Sequence, residues 1–168
     1  MLSNDGTREA AVSTIQATGT AMVPLLLSWT RTPPPQVDRE GLYAGLAYAF
    51  GRLRTQKAIP FLVKHISMQE GFPSVNIWMK SPAVIEGRLP AVKALIQIGP
   101  EASKTLINSP WDCMSSEDRL AALFVVSQIP GVPEARGFIG RAVGEANLQH
   151  YWAEEGLRVL DARNPPPK

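Results

Sequence analysis

Cysteine is almost absent from this chain of 168 residues, which contains only Cys113. A single thiol excludes an internal disulfide and any metal site built from several cysteines. Histidine is equally scarce, with only His65 and His150. The core must therefore be stable without an internal disulfide. A chain of this length can achieve that, because folding buries about 70% of its unfolded surface.

The motifs that identify the common enzyme classes are missing as well. The chain has no phosphate-binding G-x-x-x-x-G-K-[ST] loop, no G-x-G-x-x-G, no G-x-S-x-G and no H-E-x-x-H. His150 and Glu154 are four residues apart on one predicted helix, but two ligands do not make a metal site. Cys113 and His65 have no partners at catalytic spacing. The sequence therefore predicts no catalytic residue, no metal ligand and no cofactor, and favours a protein that is not an enzyme.

Long apolar runs are also missing. Apolar residues make up 45% of the chain and charged residues 19%, which is ordinary for a folded domain. No uninterrupted apolar run approaches the roughly 20 residues that cross a bilayer, so no membrane span is expected. The first residues lack the basic and apolar regions of a signal peptide. Two alternatives remain: a cytoplasmic protein if Met1 is the native start, or an exported one whose signal peptide has been removed.

The chain contains one sequence motif that is repeated four times. The motif is an apolar helix, a break at glycine, and a second helix with Ala and Leu residues spaced one helical turn apart. The breaks fall at Gly19, Gly51, Gly99 and Gly131. Gly19 and Gly51 are 32 residues apart, and a period in this range indicates stacked helical hairpins. The predicted fold is all-α. It is an α-solenoid of about four hairpins with a C-terminal capping helix, forming a single domain over residues 1–168.

Caps and prolines predict where the helices begin and end. Asp38 and Ser115 are the predicted N-caps, because Asp and Ser side chains accept hydrogen bonds from free amides at a helix N-terminus. Pro90 and Pro100 each begin a helix, since proline fits the first turn. A proline-rich tail at 164–168 ends the fold. The predicted helices cover about residues 5–18, 21–30, 38–51, 56–66, 90–98 and 100–107, one that starts at 115, then 133–146 and 147–161.

The spacing between the second and third breaks is too long. Gly51 and Gly99 are 48 residues apart, which is one period plus about sixteen residues. We place an insertion at about 67–87, and its aromatic and methionine side chains argue that it is ordered. Two alternatives remain open for it. It fills a gap between widened repeats, or it presents a partner-binding knob that contains Phe72, Trp78 and Met79.

Two segments resemble a known family. They are Ala91–Ala102, which reads AVKALIQIGPEA, and Ala58–Leu62, which follows a helix that ends in glycine. Both resemble HEAT repeats of the bacterial type related to phycobilisome-lyase HEAT-like units. The resemblance spans about residues 8–146, with 148–162 as an incomplete unit. It implies a right-handed superhelix of antiparallel helix pairs, whose second helices line a concave face and contact partner proteins.

Lys57, Phe61 and Lys64 fall outside the apolar stripe of the second helix of hairpin two. The resemblance turns this side toward the concave face, where an aromatic residue between two cations suits a binding site. The alternative is that Phe61 packs against the adjacent repeat or the insertion. From Arg52 to Lys104 there are eight basic and three acidic residues, a local charge of +5. Two interpretations of this charge remain open: it attracts an acidic partner, or it is an ordinary solvated surface. Nucleic-acid binders carry denser basic clusters.

The leading functional hypothesis is a noncatalytic scaffold that binds a protein or peptide through its concave face. The predicted partner-binding residues are Lys57, Phe61, Lys64, Phe72, Trp78 and Met79. Two alternatives from other classes remain open. One is an enzyme or enzyme accessory of the HEAT-like class, of the bilin lyase or DNA glycosylase kind. The other is a structural segment of a larger assembly.

Overall fold

The computed structural model describes residues 5–71, 77–143 and 148–163. Within these ranges the secondary structure is helical and contains no strand, so the predicted all-α class is confirmed. The chain divides into two compact units, Met1–Ile98 and Gly99–Lys168. Each unit is described by itself. The continuous solenoid expected from the repeats stays a prediction.

Most of the observed helix boundaries lie close to the predicted ones. In the first unit they are α1 (Asp5–Thr18), α2 (Val23–Arg31), α3 (Arg39–Arg52), α4 (Ile59–Lys64), α5 (Pro82–Arg88) and α6 (Pro90–Ile98). In the second unit they are α7 (Pro100–Ile107), α8 (Ser116–Gln128), α9 (Ala135–Ala142) and α10 (Leu148–Arg163). Short 3-10 turns occupy Gly19–Met22, Gln56–Ala58, Ile77–Met79 and Trp111–Cys113.

The break between α1 and α2 lies at the predicted glycine. Gly19 has φ +72°, in the left-handed region that favours glycine, and one 3-10 turn then leads into α2. By length and composition alone, the stretch Thr7–Arg31 is apolar enough to cross a membrane, with a mean hydropathy of 1.4 over 18 residues, of which 22% are buried. Gly19 interrupts this stretch. The expectation that the chain has no membrane span stays a prediction.

Both predicted N-caps are confirmed. The Asp38 carboxylate accepts hydrogen bonds from the backbone amides of Glu40 (3.2 Å) and Gly41 (2.9 Å) at the start of α3. The Ser115 hydroxyl accepts from the Asp118 amide at 3.1 Å and donates to the Asp118 carboxylate at 2.7 Å. Each cap satisfies amides that have no partner within the helix. The helix starts are therefore set by local sequence.

The core of the first unit is built around α3. This helix packs along α6 on one side and against α1 on another, and α4 packs against α6. Packing on several sides explains why α3 carries small and apolar residues over most of its surface instead of one narrow stripe. The large side chains that are fully buried in this unit are Leu26, Leu46, Phe50, Leu62, Ile66, Ile85, Leu89 and Leu95.

The second unit is built around α8. Leu120–Ser127 is buried on all sides, because α7, α9 and α10 all pack against this helix. Two edge-to-face aromatic pairs support the packing: Phe124 with Trp152 at 5.6 Å between ring centroids, and Trp111 with Phe138 at 5.3 Å. The predicted capping helix α10 buries one face and leaves charged residues such as Glu154 and Arg158 exposed.

Several boundaries differ from the sequence prediction. The helix α5 in the insertion was not predicted, although Pro82 at its start is a standard helix-initiation signal. The helix α9 begins two residues after Pro133, which was predicted to open it. The helix α4 ends at Lys64 and not near 66. The predicted start of the last helix at residue 147 and the tail 164–168 lie outside the described residues.

Candidate protein-binding site

Three aromatic rings meet where α3 faces the segment that contains α4. The ring centroids of Tyr43 and Phe61 are 5.3 Å apart, those of Tyr43 and His65 are 4.8 Å apart, and those of Phe61 and His65 are 4.9 Å apart. Each of the three residues is partly exposed. Beneath them lies the fully buried Phe50, whose ring centroid is 6.0 Å from that of Phe61. We call Tyr43, Phe61 and His65 the aromatic cluster.

Helical spacing explains why the rings meet. Phe61 and His65 are four residues apart, so they lie on the same side of the chain one turn after another. His65 is the C-cap of α4. Tyr43 lies in the first half of α3, and its ring packs edge-on against Phe61 with an interplanar angle of 85°. The arrangement fixes the three rings while part of each remains in contact with water.

Positive charge lies next to the aromatic cluster along the chain. Lys57 and Lys64 are both exposed, the first in the 3-10 turn before α4 and the second at the end of α4. The pKa of His65 is lowered from 6.5, first because burial disfavours the imidazolium and second because Lys64 repels it. The imidazole is therefore neutral at pH 7, and the positive charge of this surface comes from the lysines.

The insertion residues predicted to join this site fall into different environments. Trp78 is only 3% exposed, whereas its neighbour Met79 is 67% exposed. The burial of Trp78 fits the alternative in which the insertion fills space between helices, since a buried ring cannot contact a partner without moving. Phe72 lies outside the described residues. The assignment of all six residues to one binding surface stays a prediction.

Sequence reasoning identified Phe61 and the two lysines but missed Tyr43 and His65 as their neighbours. Neither residue is assigned a role at this site from the sequence alone. The four-residue spacing of Phe61 and His65 was a signal that could have grouped these two. Nothing in the local sequence places Tyr43 beside them, because that contact depends on how α3 and α4 pack.

Metal-binding side chains do not cluster in the described part of the chain. Within those residues, no group of three or more His, Cys, Asp or Glu side chains could hold an ion. His150 Nε2 lies 3.4 Å from a Glu154 carboxylate oxygen, as their four-residue spacing predicts. Cys113 is exposed. The contact between His150 and Glu154 is an ordinary contact between side chains on one helix.

Comparison with known protein families, with curated proteins and with solved structures finds no match to this chain. The class of the protein therefore comes from its own residues. It is an all-helical protein that carries a partly exposed aromatic cluster with two lysines beside it in sequence.

Proposed function

We propose that this chain is a noncatalytic binding module of HEAT-like helical hairpins, and that its partner is an acidic protein or peptide. The observation that carries the proposal is the aromatic cluster, in which three rings pack together and none is fully buried. Lys57 and Lys64 supply positive charge on the same short segment. Surfaces that combine aromatic anchors with a polar rim are typical of protein interfaces.

The physical basis is a division of roles. Rings that are already held by their neighbours lose little conformational freedom on binding, so they bind an apolar side chain efficiently. Exposed lysines contribute less to affinity, but they attract an acidic partner and raise the association rate. The partner that fits is a segment with one apolar or aromatic residue flanked by Asp or Glu.

The first experiment identifies the partner and tests the charge requirement. Proteins bound to the wild-type chain are captured and identified by mass spectrometry, in parallel with the double variant Lys57→Glu/Lys64→Glu. The matched control is Lys80→Glu, since Lys80 is also exposed but lies on another segment. We expect the acidic partner to be lost with the double variant and kept with the control. Equal capture by all three proteins would contradict the proposal.

The second experiment tests the aromatic cluster on a synthetic peptide derived from the captured partner. Phe61→Ala is expected to weaken binding by about 2 kcal/mol or more, which corresponds to roughly thirtyfold in Kd. Phe61 also contacts Phe50, so the melting temperature is measured on the same protein. Phe61→Leu keeps much of the apolar volume and serves as the milder variant. Unchanged affinity in folded Phe61→Ala and Phe61→Leu proteins would place the site elsewhere.

A further inference from the structure

The first unit contains a cavity whose chemistry differs from that of the aromatic cluster. Its volume is about 320 Å³, and α1, α3, α6 and Glu70 contribute to its walls. This size lies at the lower end of the roughly 300–1,000 Å³ that small-molecule sites occupy. We call this cavity the charged pocket. Its polar lining residues are Arg8, Glu9, Tyr48, Arg52, Glu70, Lys93 and Gln97.

One carboxylate of the charged pocket is already neutralised within the protein. Glu70 accepts hydrogen bonds from the guanidinium of Arg8 through Oε1 and from the Tyr48 hydroxyl through Oε2, the second at 2.8 Å. The Arg8 side chain is 9% exposed, so this pair is largely shielded from water. The charges of Arg8 and Glu70 therefore offset each other in the wall of the pocket.

Two side chains on α6 have hydrogen-bonding capacity that the described residues do not use. Lys93 and Gln97 are one turn apart on the same side of this helix, and both are partly exposed. The Lys93 ammonium lies 5.6 Å from the ring centroid of Tyr48 and makes no ion pair with any described residue. The Gln97 amide likewise makes no hydrogen bond within the described part of the chain. Gly51 makes room for it, since a Cβ there would collide with Gln97 Oε1.

The remaining charges leave one positive charge unmatched. Arg52 lies 3.6 Å from Glu9, too far for a hydrogen bond, and their side chains are 47% and 83% exposed. The lining contains three cations and two carboxylates, so the pocket has a net charge of +1. Lys93 is the cation for which no described carboxylate is a partner. A ligand with one negative charge would balance the net charge of the pocket.

We propose that the charged pocket binds the carboxylate of a small organic acid that carries a single negative charge. Lys93 pairs with the carboxylate, the Gln97 amide donates a second hydrogen bond, and the Tyr48 ring contacts the hydrocarbon part of the ligand. The volume suits a metabolite and not a peptide. This site is distinct from the aromatic cluster, so the proposal does not depend on the protein-binding function.

The test uses phenylacetate, its uncharged amide phenylacetamide, and inorganic phosphate as probes. Binding is followed by NMR through the side-chain amide signal of Gln97 in the full chain. We expect phenylacetate to shift this signal in a saturable way, and the other two probes to leave it unchanged at the same concentration. Phenylacetamide lacks the charge, and phosphate lacks the hydrocarbon group that contacts Tyr48.

Substitutions then assign the role of Lys93. Lys93→Met keeps most of the side-chain length beside Tyr48 but removes the charge, and it should weaken phenylacetate binding about tenfold or more. Gln97→Glu introduces a like charge and should abolish binding, which is followed in this variant through the backbone amide signal of residue 97. The control Lys80→Met should bind as the wild type does. Equal binding of phenylacetate and phenylacetamide, tighter binding of phosphate, unchanged affinity in folded Lys93→Met, or no shift with phenylacetate would each overturn the proposal.

Discussion

Gly51 of α3 packs tightly against Ala94 of α6. A Cβ built on Gly51 would lie 2.8 Å from Ala94 Cα and 3.1 Å from Ala94 Cβ, and closer still to the side chain of Gln97. Real Cβ atoms essentially never come within 3.0 Å of a backbone carbon, so any residue larger than glycine would force the two helices to shift. Gly51 therefore serves helix packing, in contrast to Gly19 and Gly99, whose φ angles of +72° and +91° lie in the region that favours glycine.

Gly51→Ala is expected to destabilise the protein by about 1–3 kcal/mol, which is the usual effect of overpacking a tight core. The measurement is the free energy of unfolding from urea denaturation. The matched control is Gly87→Ala in α5, where an added Cβ meets nothing within 4 Å and the φ angle is negative. This control should be neutral, or more stable by about 0.4–1 kcal/mol. Equal effects of the two substitutions would show that α3 and α6 are not in close contact.

The features that could be predicted from the sequence are those set by residues close together in the chain, and contacts between distant residues could not be predicted. The ends of α3, α6 and α7 are set by Asp38, Pro90 and the pair Gly99–Pro100, all of which act within one turn, and so these boundaries could be predicted. The helix α5 lies inside the insertion, where the repeat period does not apply, and only Pro82 marks its start. The contact of Tyr43 with Phe61 could not be predicted, since it depends on how two helices pack.

The same limit applies to the pair of Arg8 and Glu70, which are 62 residues apart in sequence. Glu70 joins three parts of the first unit: it accepts from Arg8 of α1 and from Tyr48 of α3, and its backbone amide donates to the carbonyl of Arg88 in α5 at 2.8 Å. No local pattern brings these residues together. A charge count shows only that this part of the chain is basic.

Glu70→Gln should destabilise the protein by about 1–3 kcal/mol, because it removes the negative charge that pairs with the largely buried Arg8 guanidinium. A double-mutant cycle with Arg8→Met measures the coupling between the two side chains. We expect a favourable coupling of about 0.5–3 kcal/mol. The exposed pair of Glu155 and Arg158 is the comparison, and its coupling should be smaller because water screens it. Coupling of equal size in both pairs would contradict the special role of Glu70.

Acidification should weaken the fold through His65. Its pKa in the folded protein is below 6.5, so the unfolded state binds more protons between the folded and unfolded pKa values, and folding stability falls as the pH drops through this window. The contribution of the neutral imidazole is fully present above pH 6.5. His65→Asn should therefore lose less stability than the wild type between pH 7.5 and pH 5.5, measured by urea denaturation. Parallel losses in the two proteins would contradict this.

The two causes of the His65 shift can be separated by NMR titration. Lys64→Met removes the repulsion from the lysine but leaves the burial of the imidazole unchanged. Because burial is the larger cause, the pKa of His65 should rise in this variant and still remain below 6.5. A pKa that returns fully to 6.5 would show that Lys64 dominates. The control Lys80→Met should leave the titration unchanged.

The insertion offers a direct comparison between two neighbouring residues, Trp78 and Met79. Trp78 is 3% exposed and Met79 is 67% exposed, so they should behave in opposite ways when truncated. Trp78→Ala removes a buried ring and should destabilise the protein by about 3–5 kcal/mol, as truncation of large core aromatics does. Met79→Ala should change stability by less than about 0.5 kcal/mol. Unfolding free energies of the two variants decide whether the insertion fills the core.

Measuring affinity on variants of Trp78 and Met79 shows whether these residues fill the core or contact the partner. If Trp78 only fills space, Trp78→Phe will be moderately destabilised and will bind the acidic peptide with unchanged affinity per folded molecule. Met79→Ala will weaken binding only if the exposed thioether contacts the partner, since it supports little in the free protein. If the folded Trp78→Phe protein binds the peptide more weakly and its melting temperature is unchanged, Trp78 contacts the partner. That outcome would require the insertion to move when the partner binds, because a ring this deeply buried cannot otherwise reach it.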